Sequence, residues 1–324
     1  MAVTLGIDVA KHDFHAAIQP PGRERWHERR FPNTAAGVQA CHRWLESLGL
    51  TEAVVALEAT GIYSEPLAER FYALGYGVHL LNPAQVIHHA RSELQRAKTD
   101  RIDARSVSEV AQAKTLPFWA PASATMHELR ELHRHLRGLR HSRAQLYNRL
   151  ETQGETTRAS LQRLLEAYDA EIRETRERMQ TLIRACDELN DAAQRLASIP
   201  AVGETLIAEL LVRLPKIQCC RRAQSLVAFA GLDPRPYESG TSVRAPRRIS
   251  KCGDAALRKA LYFPTLCAMK HNPVIRAYVE RLKQRGVRGK SLVCAAARKL
   301  LHLIHGVLKS GKSFDPNIPL QAQG

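Results

Sequence analysis

Four acidic residues from three separate segments of the chain could do chemistry together. Asp8 ends the strand-like run VTLGID, Glu58 ends VVALE, and Asp100 and Asp103 stand three apart in AKTDRIDARSV. Residues three apart on a helix share a face, so Asp100 and Asp103 are expected to project together. The carboxyl ends of strands in an open α/β sheet meet at one crevice, where these four acids are expected to converge.

Such a carboxylate cluster is suited to metal-assisted phosphoryl transfer. Magnesium prefers oxygen ligands, and shared carboxylates can hold two ions that clamp the attacking and leaving oxygens. Any single acid after a strand is commonly a helix cap or a surface residue, so the set matters more than its members. The predicted ligands of Mg²⁺, or of Mn²⁺ in its place, are Asp8, Glu58, Asp100 and Asp103.

An α/β domain is predicted to position these acids over residues 1–114. The expected strands are VTLGID, DFHAAIQ, RERWHERRF, AVVALEATG and YGVHLLNP, and the expected helices are AAGVQACHRWLESLG, SEPLAERFYALG and one begun by KTDRIDAR. Asn33 or Thr34 can cap the first helix, and Gly49 can end it. Three hairpin-type strands followed by crossover strands favour an α/β sheet.

The middle of the chain, 115–196, is predicted to be a linker followed by a coiled coil. TLPFWAPASAT is rich in proline, as linkers are. Apolar residues then recur at steps of three and four from Leu129 to Leu150 and, after TQGETT, from Leu161 to Leu196. This spacing predicts an antiparallel or dimeric coiled coil that serves assembly into a homo-oligomer.

The remaining segment, 197–324, is predicted to be mostly helical and strongly basic. The chain has a formal net charge of +16, and from Glu204 to Gly324 there are 22 Lys and Arg against 7 Asp and Glu. A field of this size attracts polyanions, and nucleic acid is the usual one. SIPAVGETLIAELL is typical of a helix-hairpin-helix turn, in which backbone amides approach phosphate. AFAGLDPRPYESGTSVRAPRRISKCGDAALRKAL is predicted to be a long loop between helices, and a loop of this length is usually functional or disordered.

Several classes of protein are disfavoured by the sequence. The sequence contains no run of about 18 apolar residues, which a membrane span would require. The first residues lack the pattern of an export signal. The seven cysteines are scattered without CxxC or Cys/His ligand spacing. A cytoplasmic protein without a zinc site or a disulfide framework is therefore expected.

The motifs resemble those of a known family. GIDVAK with Asp8, EATGIY with Glu58, NPAQV, and KTDRIDAR with Asp100 and Asp103 resemble the DEDD transposases of bacterial and archaeal insertion sequences. AGLDPRPYESG followed by RRISKCGDAALRKAL resembles the second conserved domain of that family, in which a serine before glycine is the nucleophile; Ser239 stands there. The resemblance spans almost the whole chain. One departure is Cys252, where arginine or another polar residue is more usual.

The resemblance implies a domain plan and a reaction. The plan is a RuvC-like (RNase H-like) catalytic domain over 1–114, a linker and coiled-coil region over 115–196, and a mostly α transposase domain over 197–324. The implied enzyme is a transposase or site-specific recombinase that a structured bridge RNA guides to donor and target DNA. Strand exchange would pass through a covalent phosphoserine on Ser239, with serine and acidic cluster supplied by different subunits. Dimers would assemble into a tetramer, in the cytoplasm of a prokaryote and close to its nucleoid.

Basic residues around the serine are predicted to contact phosphate, and Ser242 is a local competitor for the role of nucleophile. A serine hydroxyl needs activation, and no neighbour in sequence supplies it. The predicted nucleic-acid contacts are Arg244, Arg247, Arg248, Lys251, Arg258 and Lys259. Two other functions stay open at this point. One is a metal-dependent DNA junction nuclease in which water attacks, and the other is a basic nucleic-acid scaffold without strand chemistry.

Overall fold

The computed structural model describes residues 3–20, 22–23, 25–50, 52–59, 63–92, 100–235, 238–239, 243–244 and 248–317. At 100–101, 238–239 and 243–244 it describes the backbone only. The predicted site residue Arg247, the side chains of Asp100, Ser239 and Arg244, and the competitor Ser242 therefore lie outside the described part. The chain divides into two compact units, Met1–Ala122 and Ser123–Gly324. The finer three-part division at 114 and 196 stays a prediction.

The first unit is a five-stranded mixed sheet with helices on both faces. Its elements are β1 Thr4–Val9, β2 Asp13–Ile18, β3 His27–Pro32, α1 Ala35–Ser47, β4 Val54–Glu58, α2 Ser64–Ala73, β5 Val78–Leu81, α3 Pro83–Ser92 and α4 Asp100–Ala113. The strand order is β3-β2-β1-β4-β5. β1, β2 and β3 pair antiparallel, whereas β4 lies parallel to β1 and β5 parallel to β4. The predicted plan of three hairpin-type strands followed by crossover strands is confirmed.

Alternating residues of the central strands separate two cores. Leu5 and Ile7 of β1 pack with α1 and α2, together with Phe14 of β2. Ala56 of β4 and Leu81 of β5 pack on the opposite face, against α3 and α4. This period of two assigns every side chain of β1 and β4 to one helical layer or the other.

The local signals at the ends of α1 act as the sequence suggests. Thr34 is the N-cap, and its Oγ1 accepts a hydrogen bond from the backbone N of Gly37 at 3.2 Å. The side chain of Asn33, the other candidate, donates instead to the carbonyl of Ala10 at 3.1 Å. Gly49 follows the helix with φ of 72°, a left-handed conformation that glycine adopts at little cost.

The segment predicted as a linker is packed onto the sheet in its first part. The backbone N of Trp119 donates to the carbonyl of Val78 on β5 at 2.7 Å. The ring of Phe118 stacks on His79, with 4.8 Å between ring centroids. The first unit, Met1–Ala122, therefore includes this part of the segment.

The second unit begins with a helical hairpin of α5 Ala124–Thr152 and α6 Glu155–Ala185. Leu146 of α5 packs on Leu161 and Leu165 of α6, so the two predicted heptad stretches pair antiparallel within one chain. The second stretch is not one helix up to Leu196. Cys186 has an extended backbone, which ends α6 and begins α7 Asp187–Ala197.

A helical bundle follows the hairpin. It comprises α8 Glu204–Leu211, α9 Leu214–Gln218, α10 Ala223–Phe229, α11 Ala255–Ala260, α12 Tyr262–His271, α13 Pro273–Gln284 and α14 Gly289–Ser310. Within the described residues, α14 alone has the length and composition of a membrane span, but 56% of the relevant window is buried. Since α14 packs against α7, α10, α12 and α13, it is the core helix of this unit.

The segment predicted as a loop between α10 and α11 contains short strands. β6 Pro234–Arg235 pairs with β9 Arg248–Ile249, and β7 Glu238–Ser239 pairs with β8 Val243–Arg244. The prediction of a loop is therefore wrong for these residues. Strands of two residues are too short to show the alternation by which strands are recognised.

Candidate phosphoryl-transfer site

Asp8 and Glu58 lie side by side at the carboxyl ends of two neighbouring strands. β1 and β4 pair in parallel with Ile7 opposite Leu57, so the next positions on the two strands are Asp8 and Glu58. Adjacent strands are about 4.8 Å apart, and side chains in register point the same way. Both acids are half-buried. The sheet thus pairs two carboxylates that are fifty residues apart in the chain.

Helix α4 covers the face on which these two acids lie. A Cβ atom built on Gly6 would be 2.1 Å from the carbonyl oxygen of Ala104, so Gly6 points at α4. Asp8 is two residues further along β1 and shares that face. Glu58 shares it as well, because Ala56, two residues earlier, packs with Val107 and Val110 of α4.

The first turn of α4 lies at the level of Asp8. Ser108 Oγ donates to the carbonyl of Thr4 at 2.8 Å, whereas Ala104 lies over Gly6, so α4 runs antiparallel to β1. One helical turn rises about 5.4 Å, and two strand residues span about 6.6 Å. The turn that contains Asp100 and Asp103 is therefore placed over the end of β1. The side chain of Asp103 is half-buried there.

The described side chains do not by themselves complete a metal site. Among them, no three of His, Cys, Asp or Glu are arranged to hold a metal ion. Asp100 is not included, because its side chain lies outside the described part. The donor set is nonetheless the one that a hard cation prefers, since all four predicted ligands are carboxylates. Asp8, Glu58 and the first turn of α4 share one face and one end of the sheet. The residues present fit Mg²⁺, and the full ligand set stays a prediction.

His15 is a further residue beside the candidate site, and the sequence alone did not identify it. It stands on β2 directly opposite Asp8 in the antiparallel ladder, which places it on the same face of the sheet. Cross-strand pairing is a long-range property, and only the alternation of DFHAAIQ could have hinted at the orientation of this side chain.

Two other acids of this unit are held by arginine partners. The side chain of Arg30 hydrogen-bonds to Asp13, and this bond holds the pKa of Asp13 below its ordinary value. Arg105 Nε donates to Glu28 Oε1 at 2.6 Å, which raises the pKa of Arg105. Asp13 is therefore a suitable reference carboxylate, because it is held by Arg30 and is not one of the four predicted ligands.

The second candidate site is the hairpin that carries Ser239. This serine ends β7 and is paired with Val243 of β8. Two backbone hydrogen bonds join the segments on either side of the hairpin, and we call this part its base. Ser250 N donates to the carbonyl of Asp233 at 2.9 Å, and Lys251 N donates to the carbonyl of Gly231 at 3.1 Å. A further hydrogen bond joins the side chains of Ser250 and Asp233. The motifs AGLDP and ISKCGD thus close the base of the hairpin together.

Close backbone contact explains a glycine in this base. A Cβ atom on Gly253 would lie 2.4 Å from the carbonyl oxygen of Phe229 and 2.6 Å from the backbone N of Gly231. Any larger residue at 253 would separate the two motif segments. The position before it, Cys252, is exposed, so the departure from the usual residue leaves this packing unchanged.

Arg213 ties the start of α11 to α8. Its Nε donates to Asp254 Oδ2 and its Nη1 to Glu209 Oε2, both at 2.6 Å. Asp254 also caps α11 by accepting from Leu257 N at 2.9 Å. Burial alone would raise the pKa of Asp254, but the hydrogen bonds from Arg213 and Leu257 outweigh it and hold that pKa below its ordinary value. This network fixes the chain directly after the hairpin.

Comparison with known proteins finds two transposase family models along the chain. A DEDD transposase model matches residues 5–153, and a model described as the transposase IS116/IS110/IS902 family matches residues 193–280. The chain belongs to the IS110 family of transposases. The first match contains all four acids, and the second contains Ser239 and the base of its hairpin.

Full-length relatives support this membership. The pilin gene-inverting proteins of Moraxella bovis and Moraxella lacunata are each 28% identical over 320 residues, which is 97% of this chain and 98% of theirs. The transposase for insertion sequence element IS1328 of Yersinia enterocolitica is 23% identical over 354 residues, with 96% and 98% covered. As a member of the IS110 family, the chain is a DNA-recombining enzyme that binds DNA.

The basic residues predicted to contact DNA differ in their surroundings. Arg248, Lys251 and Lys259 are exposed. Arg258 is half-buried, and its Nη1 donates to the carbonyl of Ala230 at 2.9 Å, so part of its guanidinium supports the base of the hairpin. The exposed three are therefore more accessible than Arg258 for the predicted phosphate contacts.

Proposed function

We propose that this chain is an RNA-guided recombinase that cuts and rejoins DNA through a covalent phosphoserine on Ser239, assisted by Mg²⁺ on Asp8, Glu58, Asp100 and Asp103. The observation that carries the proposal is the adjacency of Asp8 and Glu58 beneath the first turn of α4. The strand order β3-β2-β1-β4-β5, with its antiparallel and parallel halves, supports a RuvC-like assignment of the first unit.

The reaction exchanges one phosphodiester for another. Ser239 Oγ attacks a DNA phosphorus, an Oγ–P bond forms, and the bond from phosphorus to a deoxyribose oxygen breaks. The serine proton passes to a base, and the departing oxygen takes up a proton. On rejoining, a hydroxyl of the other DNA strand displaces Ser239 by the reverse of these steps. No high-energy cofactor is needed, because the number of phosphoester bonds is conserved.

The residues of the chain divide the work of this reaction. Asp8 and Glu58 are fixed by the β1–β4 ladder, and Asp103 by α4. Bound there, Mg²⁺ would neutralise negative charge that develops on the phosphoryl oxygens. The base at Gly231, Asp233 and Ser250 holds the hairpin from which Ser239 acts. We propose that serine and acidic cluster come from different subunits of a tetramer assembled through α5 and α6.

RNA guidance is consistent with the charge of the second unit. Its net excess of basic residues suits contact with the backbones of two nucleic acids. In RNA-guided enzymes the protein reads shape and backbone, while base pairing supplies sequence choice.

The alternative function is a junction nuclease in which water attacks and Ser239 is incidental. It is favoured by the placement of all four acids in the first unit, since metal-assisted hydrolysis needs no serine. A nuclease leaves free hydroxyl and phosphate ends, whereas the recombinase leaves protein on the DNA.

Trapping on labelled DNA distinguishes the two. Full-length protein is incubated with target DNA, guide RNA and Mg²⁺, denatured, and resolved by electrophoresis. We expect a protein–DNA adduct that disappears with Ser239→Ala and persists with Ser242→Ala, the neighbouring serine. An adduct that survives Ser239→Ala would contradict the assigned nucleophile. Free ends without any adduct would identify the nuclease, and binding without Mg²⁺-dependent cleavage would identify a scaffold.

A further inference from the structure

We propose that the second unit contains a slot for a single nucleotide, formed by α5, α6, α7 and α8, in which the base lies on an apolar floor and the phosphate lies against arginines. The slot is a cavity of about 260 Å³. It uses neither Ser239 nor the acidic cluster, and it gives the family's nucleic-acid binding a second, separate contact.

The floor of the slot suits a flat ring. Leu136 and Met179 are almost fully buried beneath it, and Ile207 continues the apolar surface. Ala193 and Ala208 also line the slot, and their small side chains leave room in it. The volume is slightly below the roughly 300–1,000 Å³ of small-molecule sites, which fits one base rather than a longer segment.

Three amide side chains line the walls: Gln180, Asn190 and Gln194. Across the residues that the structure describes, none of these side chains has a hydrogen-bond partner. A side-chain amide carries both donors and an acceptor, which is the pattern that pairs with the edges of bases. The slot thus offers unused hydrogen-bonding groups directly beside an apolar floor.

Three guanidinium groups surround the slot. Arg176 Nη2 is 2.6 Å from Glu204 Oε2, but Arg140 and Arg184 have no ion pair with any carboxylate of the described residues. Arg140 is half-buried, and burial together with the neighbouring Arg176 lowers its pKa. A half-buried cation next to another cation is stabilised by an anion, and phosphate accepts hydrogen bonds from guanidinium in matching geometry.

These groups favour a nucleotide over a helix from a second copy of the chain. An apolar helix would bury the three amides without partners, at a cost for each. A second copy also carries a net charge of +16, which opposes binding at a site with three arginines and one glutamate. A nucleotide extruded from RNA or DNA satisfies the floor, the amides and the cations together.

Glu204 provides a specific test of the proposal. Its carboxylate pairs with Arg176 at the place where a phosphate would bind. Removing this negative charge should strengthen nucleotide binding. A purely structural Arg176–Glu204 pair would give no such gain.

The experiment uses full-length protein and an oligouridine RNA with one 2-aminopurine, whose fluorescence rises when the base is unstacked. We expect Asn190→Leu and Arg140→Gln each to weaken binding about tenfold. Glu204→Gln should tighten binding several-fold. Asn148→Leu, at an exposed position of α5, should bind like wild type. Because no cleavage is measured, failure of the phosphoserine chemistry would leave this result unaffected.

Adenosine 5′-monophosphate is titrated in parallel to identify the source of the nucleotide. Binding of the monophosphate that Asn190→Leu weakens would indicate a free nucleotide, and binding of the oligonucleotide alone would indicate one held within a chain. If Asn190→Leu and Asn148→Leu bind both probes like wild type, the slot is not a nucleotide site. A change in sedimentation with Asn190→Leu, without a change in binding, would mean that a second copy fills it.

Discussion

Gly6 of β1 and Ala104 of α4 approach so closely that a Cβ atom at Gly6 would lie 2.1 Å from the carbonyl oxygen of Ala104. This contact sets α4 directly on the sheet and places its first turn over Asp8. We predict that Gly6→Ala destabilises the first unit by about 1–3 kcal/mol, because the helix must move away. Strand chemistry should fall as well, since the acids on α4 move with it.

Gly138→Ala is the control for this glycine. Gly138 lies within α5, and an added Cβ there meets nothing within 4 Å. The change should stabilise the protein by about 0.5–1 kcal/mol through higher helix propensity. Denaturant unfolding of both variants measures the difference. Equal stabilities would show that α4 does not rest on Gly6.

Asp8→Asn should abolish strand cleavage while sparing the fold. The substitution removes one charge at nearly constant volume from the pair that Asp8 forms with Glu58. Loss of several kcal/mol of charge stabilisation corresponds to a fall of at least about 100-fold in rate. Asp103→Asn should behave in the same way.

The reference variant for the acidic cluster is Asp13→Asn, which removes the carboxylate paired with Arg30. Cleavage by this variant should stay within a few-fold of wild type, because the carboxylate of Asp13 is held by Arg30 and is not one of the four predicted ligands. Rates are read on labelled DNA with Mg²⁺, and melting temperatures report the fold. If Asp8→Asn retained cleavage at the level of Asp13→Asn, Asp8 would have no part in the chemistry.

Stability should fall with acidification through the Arg213 network. Burial alone would raise the pKa values of Asp254 and Glu209. The hydrogen bonds from Arg213 and Leu257 hold the pKa of Asp254 below its ordinary value. His133, followed by the charge of Arg213, does the same for the pKa of Glu209. Their stabilising contribution is present above the ordinary carboxyl pKa of about 4 and is lost as the pH falls through the lowered values. The melting temperature should therefore decline below about pH 5.

Two variants test whether the Arg213 network causes this decline in melting temperature. Asp254→Asn should flatten the pH dependence, and it should cost about 3–5 kcal/mol at neutral pH because it leaves a buried guanidinium partly unpaired. Asp169→Asn, which breaks the exposed pair with Arg143, should leave stability close to that of wild type because water screens this pair. If the melting temperature of Asp254→Asn depends on pH in the same way as that of wild type, the network does not cause the decline.

Substitutions of two adjacent leucines of α6 distinguish an effect on folding from an effect on assembly. Leu165 is 9% exposed and packs on Leu146, whereas Leu164 is 49% exposed. Leu165→Ala should destabilise the hairpin by about 2–3 kcal/mol. Leu164→Lys should leave monomer stability unchanged and weaken self-association, which sedimentation velocity measures. An unaltered sedimentation profile for Leu164→Lys would exclude this face from assembly.

Local sequence signals are sufficient to locate several elements of the first unit. Alternation and capping residues located β1, β2, β4 and α1 to within a few residues, because these signals act through the backbone of their own segment. The sequence does not predict α3, and it predicts a loop where the strands that carry Ser239 lie. Short strands and weakly patterned helices depend on contacts that a local pattern does not contain.

The sequence by itself determined the family motifs, the basic second unit and the location of Asp8 and Glu58 at the ends of strands. Only the tertiary structure decided that these two acids are neighbours, that α4 lies over them, and that Arg213 joins Glu209 to Asp254. The physical reason is that strand pairing and buried ion pairs join residues far apart in the chain. Their choice of partner follows from the packing of the whole unit.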